Sequence, residues 1–219
     1  MKKMRIVIKI GGSLLFDDYG PIVAIIKNFV NVLKRIKKRH QIILVVGGGK
    51  FVRNYMKRAK ALKISNKNLE WIAIEILKSN VRLFSYLLDL KPIFDLNEIN
   101  EKTEGVLAGI CPGRSTDANA AIAAKAMRAD MLIKVTNVDG IYDKDPNIFK
   151  DAKKIDRISF NELMKFAKRG KPGSYGILDK LAIETIVKNK IRTFVISGEN
   201  PKNIIKVING KNIGTEISD

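Results

Sequence analysis

The 219-residue sequence predicts an α/β fold, a three-layer αβα sandwich around a mostly parallel central sheet, and three observations carry that prediction. Apolar runs of strand length recur at residues 5–10, 41–46, 105–110, 131–135 and 191–196. Most are continuous rather than alternating, as strands covered on both faces are. Amphipathic helical patterns fall between them, which argues for parallel strands joined by right-handed crossovers. Three of the runs end in glycine-bearing turns: GGS after Ile10, GGGK after Val46, and GICPGRSTD from Gly109. In open parallel sheets, ligands gather where strand ends open through such turns into helices.

Taken in order, RIVIKI at 5–10 supplies the first strand, and the GGS turn follows it directly. A helix is expected over 21–39, where Ile22, Ile25, Ile26, Phe29, Leu33 and Ile36 repeat at helical spacing with Lys and Arg opposite. QIILVV at 41–46 is the second strand, and helices over 51–62 and 69–90 follow the GGGK turn. The strand at 105–110 leads through the third turn into a helix over 116–128. Beyond the strand at 131–135, helices are expected at 161–168, 178–189 and 201–207, with the strand 191–196 before the last of them. There is no repeat, low-complexity tract or obvious flexible linker.

Composition removes several chemistries. Cys111 is the single cysteine, so there is no disulfide framework and no thiolate zinc site. His40 is the single histidine, in KRIKKRHQ, where a solvated helix end is the expected setting. Ser-His-Asp, Cys-His and His-metal chemistry therefore lack their parts. The apolar run near the start is too short for a membrane span, and no later segment reaches that length, so a soluble, cytosolic protein without a membrane partner is expected. The net charge of +19 favours anionic partners. Its cations are scattered evenly, with no basic stripe interleaved with aromatics, so nucleic acid is not the expected partner.

Glycine turns let backbone N–H groups approach a ligand, and phosphate suits that arrangement best. GGGKFV is not a P-loop, because the spacing GxxxxGK[ST] is missing, and the first turn lacks GxGxxG. Lys9 precedes the first turn among apolar neighbours. It is either an edge lysine snorkelling to solvent or a point charge between transferring phosphates. In ADMLIKVTNVDGIYDKDPN, residues 129–147, a buried strand leads into VDG and DP, which are also ordinary turn chemistry.

This last stretch resembles the nucleotide-binding signature of the amino acid kinase superfamily. The resemblance extends, in order, to KIGGS, VVGGGK, PGRSTDANAA and SYGILDKLAIETI, covering nearly the whole chain. Within the superfamily the chain is most similar to archaeal-type uridylate (UMP) kinases. These transfer the γ-phosphoryl of ATP to UMP with Mg²⁺, without a P-loop, and commonly assemble as hexamers. The resemblance implies a single domain of two lobes, about 1–128 for the acceptor and phosphates and about 129–219 for ATP. It implies that Gly11, Gly12 and Ser13 meet ATP phosphates, with Lys9 bridging toward the acceptor. Gly49 and Arg53 would lie near the phosphates being joined, and Thr136, Asn137, Tyr142 and Asp145 would frame the adenosine. Gly48 and the loop Gly109, Ile110, Cys111, Pro112, Gly113, Arg114, Ser115 and Thr116 would hold the acceptor. Asp117 matches an aspartate that orients lysines around the transferred group; a first-turn carboxylate favoured by the helix dipole is the other reading, and PGRST before it favours the catalytic role.

Glu70 stands where uridylate kinases usually carry an aspartate for the nucleoside sugar, and the acceptor loop reads AGICPGRST rather than GGTHPGHTT. Lys180 stands where they commonly carry proline and where acetylglutamate-type kinases place a catalytic lysine nearby; a solvated helix lysine is the other reading. The alternatives are a sibling kinase for isopentenyl phosphate or an aminomethylfuran phosphate, and a noncatalytic nucleotide sensor or storage subunit. No metal ligands can be named from the sequence.

Overall fold

A computed structural model of the chain describes residues 3–146, 148–169 and 178–219. Residues 174–177 of the SYGILDKLAIETI motif therefore lie outside the described residues.

The sheet is built around β1 (Arg5–Ile10), whose continuous apolar run is buried after its first residue. A four-residue helix, α1 (Gly12–Leu15), follows at once. Next come α2 (Val23–Lys37), β2 (Gln41–Val46), α3 (Gly49–Lys60) and α4 (Asn66–Leu88). β3 (Gly105–Leu107), α5 (Thr116–Ala126) and β4 (Met131–Thr136) complete the first part. A small antiparallel hairpin, β5 (Ile141–Tyr142) with β6 (Lys154–Ile155), stands apart from the main sheet. β7 (Arg157–Ile158), α6 (Phe160–Arg169), α7 (Lys180–Lys188), β8 (Thr193–Ser197), α8 (Asn203–Ile208) and β9 (Thr215–Ile217) close the fold.

The strands lie in the order β3-β2-β1-β4-β8-β9-β7, parallel except that β9 runs against β8. Alternate residues of each strand feed two cores. Ile6, Ile8 and Ile10 of β1 pack with Phe29 and Leu33 of α2, Phe84 of α4 and Ile204 of α8. Val7, with Val45, Leu132 and Val195 of neighbouring strands, packs with Ala120 and Ala124 of α5, Leu163 of α6 and Ile186 of α7. Burying a side chain such as Phe29 or Ile8 contributes roughly 1.5–3 kcal/mol, so these two layers hold the sandwich together. The alanines of α5 let it sit close to β1, with almost every face buried.

The structure departs from the expected elements at their ends. α3 starts at Gly49, two residues before the expected helix, because Gly49 takes φ +70 and turns the chain straight out of the glycine run. α4 starts at Asn66, where the Ser65 hydroxyl accepts the Asn68 N–H, and stops where Asp89 turns left-handed at φ 51. The third strand ends at Leu107 rather than at residue 110, since 108–115 belong to the turn. His40 is a correction. It is 3% exposed rather than solvated, and its Nδ1 accepts the Met4 N–H, tying the end of α2 to the entry of β1. Burial, with the nearby Arg39 charge, lowers its pKa, so it sits there as a neutral acceptor.

Candidate active site

Because β3, β2 and β1 are adjacent and parallel, their three turns open at the same sheet edge. The first two are packed backbone on backbone. A Cβ on Gly12 would stand 2.2 Å from the Gly49 nitrogen and 2.5 Å from the Gly47 carbonyl carbon. Only glycine allows that approach. Leu77 of α4 lies under the other side, where it would meet a Cβ on Gly48 at 3.2 Å and one on Gly109 at 2.7 Å. One helix thus sets the spacing between the second and third turns.

Glu70, two turns earlier on α4, reaches the third turn itself. Its Oε2 accepts the Gly113 N–H at 2.7 Å, at a residue with φ +73. Ile110, Cys111, Pro112, Arg114 and Thr116 of this turn are half-buried, while Gly113 and Ser115 are exposed and Gly109 is buried. Ser115 caps α5 by accepting the Ala118 N–H at 3.0 Å. Its hydroxyl also bonds the Asp179 carboxylate, which caps α7 by accepting the Ala182 N–H at 3.1 Å. The two helix starts are therefore joined beside the turn.

The centre of the site is a cluster of charges. Lys9 and Lys134 are direct register partners on β1 and β4, so their side chains leave the sheet on the same face. Lys9 Nζ lies 3.0 Å from Asp117 Oδ1, and Lys134 Nζ lies 2.8 Å from the same oxygen. Lys9 and Lys134 are 7% and 5% exposed. Burial acts to raise the pKa of Asp117, but the two ammoniums outweigh it and hold the carboxyl below the usual range. Lys134 is lowered to about 8 by burial and by the like charge of Lys9, against the opposing pull of Asp117.

On the far side of the cluster, β4 ends at Thr136, whose hydroxyl bonds the Asn137 side-chain oxygen at 3.1 Å. Tyr142 follows on β5, and its hydroxyl donates to Asp139 at 2.5 Å. Asp145 continues this segment, its carbonyl accepting the Ile148 and Phe149 N–H groups. Gly11 joins the two sides, since its N–H bonds the Val135 carbonyl at 2.8 Å. Ser13 and Arg53 are exposed at the first turn and on α3.

A cation pair beneath converging glycine turns, with one carboxylate organising it, is suited to holding a chain of phosphates. The residues 4–97 and 99–197 match the amino acid kinase family. The chain belongs to that family. It is 38% identical to a uridylate kinase of Thermococcus onnurineus, over 98% of this chain and 99% of that protein. The crystal structure of a uridylate kinase from Archaeoglobus fulgidus superposes with a TM-score of 0.86 at 34% identity, covering 98% of this chain and 100% of the other. A UMP kinase from Ureaplasma parvum superposes with a TM-score of 0.81 at 25% identity, over the whole of both chains.

Two residues that the structure brings to this charge cluster and its helix starts were not expected from the sequence. Lys134 sits in LIKV, which reads as an unbroken buried strand; the available signal was its likeness to Lys9 in VIKI. Asp179 lies in SYGILDKLAIETI, beside the Lys180 singled out instead of it. Lys180, by contrast, is not brought to the cluster. Its side chain is 77% exposed and faces Glu184 at 3.8 Å, one turn along α7.

Proposed function

We propose that this chain is a uridylate kinase, transferring the γ-phosphoryl group of ATP to UMP to give UDP and ADP. The observation that carries the reading is the buried Lys9–Asp117–Lys134 cluster, set between the Gly48 and Gly109 turns on one side and the Thr136–Tyr142 segment on the other. ATP would lie along Gly11, Gly12, Ser13, Gly49 and Arg53, with its adenosine against Thr136, Asn137, Tyr142 and Asp145. UMP would lie across Gly48, Glu70 and the turn from Gly109 to Thr116. The acceptor atom of UMP is already a phosphate oxyanion, so no strong base is needed. Positioning and charge neutralisation supply most of the acceleration, which suits a site without histidine.

The cluster is cationic, and the Asp117 carboxylate is occupied by two ammoniums. Among the described residues no group of three or more His, Cys, Asp or Glu side chains could hold a metal ion. These residues fit Mg²⁺ carried in on the ATP phosphates, where the ion would neutralise phosphate charge. A homo-oligomer, a hexamer by family resemblance, and a cytoplasmic location belong to the same reading. Among the described residues no helix is long and apolar enough to cross a membrane.

One observation favours a different acceptor within the same chemistry: the Glu70 carboxylate is taken up by the Gly113 N–H. A coupled assay of ATP consumption in magnesium, with UMP, CMP, isopentenyl phosphate or no acceptor, separates the readings. Turnover confined to UMP is expected. Turnover with another acceptor alone would reassign the substrate, and ATP binding without any turnover would favour a nucleotide sensor.

A further inference from the structure

The last turns of α2 and α8 line a cavity of about 200 Å³. Ile36, Ile205 and Ile208 form its apolar wall, and Arg35, Lys38 and Arg39 bring three cations to it. All three cations are exposed, and among the described residues none has an ion-pair partner. Asp89, at the end of α4, stands by Lys37 instead, at 3.9 Å. The two segments that build the cavity carry no acid: there is no Asp or Glu from Tyr19 to Leu69 or from Asn200 to Thr215. Such a wall attracts an anion.

His40 adds a directed donor. Its ring lines the cavity although the residue is only 3% exposed. Nδ1 accepts the Met4 N–H at 3.3 Å, so the proton of the neutral ring is on Nε2. Among the described residues that N–H has no acceptor. A buried donor without a partner is costly, which favours an acceptor in the cavity. Cations at the end of α2 also suit its dipole. The dipole, however, calls for no cavity, no apolar wall and no buried ring N–H. An inorganic oxyanion would leave the isoleucines unused, and a neutral apolar molecule would leave the cations and the ring N–H unserved. The volume is below the roughly 300–1,000 Å³ of pockets for drug-sized molecules, so the occupant is small. The six residues of β2, about 20 Å of strand, separate His40 from Gly47, so the cavity lies outside the nucleotide site.

We propose that this cavity binds a small organic anion, its apolar body on Ile36, Ile205 and Ile208 and its carboxylate or phosphate on Arg35, Arg39 and the His40 ring N–H. The arginine fork matches the oxygens of either group. Lys38 and the Asn209 side chain complete the polar lining.

His40 is the single histidine, so its imidazole NMR signals report on this cavity and not on the nucleotide site. The test titrates the untagged full chain, at fixed pH and low salt, with benzoate, phenyl phosphate, inorganic phosphate and neutral benzyl alcohol. At least one of the two organic anions is expected to shift the His40 signals saturably, with a Kd below about 1 mM, and the tighter one identifies the charged group. Inorganic phosphate and benzyl alcohol are expected to bind at least about tenfold more weakly. Arg35→Gln combined with Arg39→Gln, both at exposed positions, is expected to keep the wild-type unfolding midpoint and weaken the organic anion at least about tenfold. His40 signals that neither organic anion moves would overturn the proposal, as would undiminished binding in the double variant. Inorganic phosphate bound as tightly as phenyl phosphate, or benzyl alcohol bound as tightly as benzoate, would overturn it too. Those two comparisons need only the wild type, so they decide the matter even if the double variant does not fold.

Discussion

Asp117 has a structural duty as well as a chemical one. Its carboxylate is the only counter-charge found within ion-pair distance of two nearly buried ammoniums among the described residues. Removing one partner from such a cluster leaves charge buried and unpaired, which typically costs about 3–5 kcal/mol. Asp117→Asn is therefore expected to lower the urea midpoint substantially, and an unchanged midpoint would mean the ammoniums find water instead. The pH dependence has two signs. Asp117, with its folded pKa below the ordinary value, supports the fold above that ordinary value and loses this support as pH falls through the folded one. Lys134 resists charging in the fold, so it destabilises fully below about pH 8, and this relaxes as pH rises toward its unfolded value of 10.5. Unfolding measured across that interval should show a rise in the wild type that Lys134→Met lacks. Lys180→Ala should change kcat less than about threefold, as expected for an exposed side chain paired only along its helix. Lys9 was legible in the sequence because a pair of glycines begins two residues after it. Lys134 was not, because no glycine follows it until Gly140 and its neighbours in the strand are apolar.

At the scale of elements, the site depends on how closely two turns approach. Gly12→Ala would drive a methyl group into the backbone of Gly47 to Gly49, with no flexible side chain able to yield. Overpacking of this kind costs about 1–3 kcal/mol or more. Chemical denaturation should show that loss together with reduced activity, and a variant as stable as the wild type would mean the turns separate freely. α4 acts on the acceptor side through Glu70 and Leu77. Glu70→Ala removes the bond to Gly113 and is expected to raise the KM for the acceptor about tenfold, with the KM for ATP nearly unchanged. Equal changes in both would place Glu70 outside acceptor binding. The long elements were visible in the sequence because their apolar periods extend over many residues. α1, the hairpin, β7 and β9 were not, because two to four residues carry no period.

For the whole molecule, strand order turns a linear sequence of motifs into a site. KIGGS, VVGGGK and the Gly109 turn are separated along the chain but occupy neighbouring strands, and the TNVDGIY segment closes the row from β4. The glycine turns announced a crevice, yet their order across it follows from strand pairing, which no local pattern encodes. The most direct measurement is phosphorus NMR of Mg-ATP and UMP incubated with the wild type and with Lys9→Met, folding of the variant being checked by circular dichroism. UDP and ADP should form in equal amounts with the wild type, and the rate should fall about 10²–10³-fold in Lys9→Met, the loss typical when one pre-organised charge-stabilising group is removed. UDP formed equally fast by a folded Lys9→Met, or none formed by the wild type, would contradict phosphoryl transfer at this cluster.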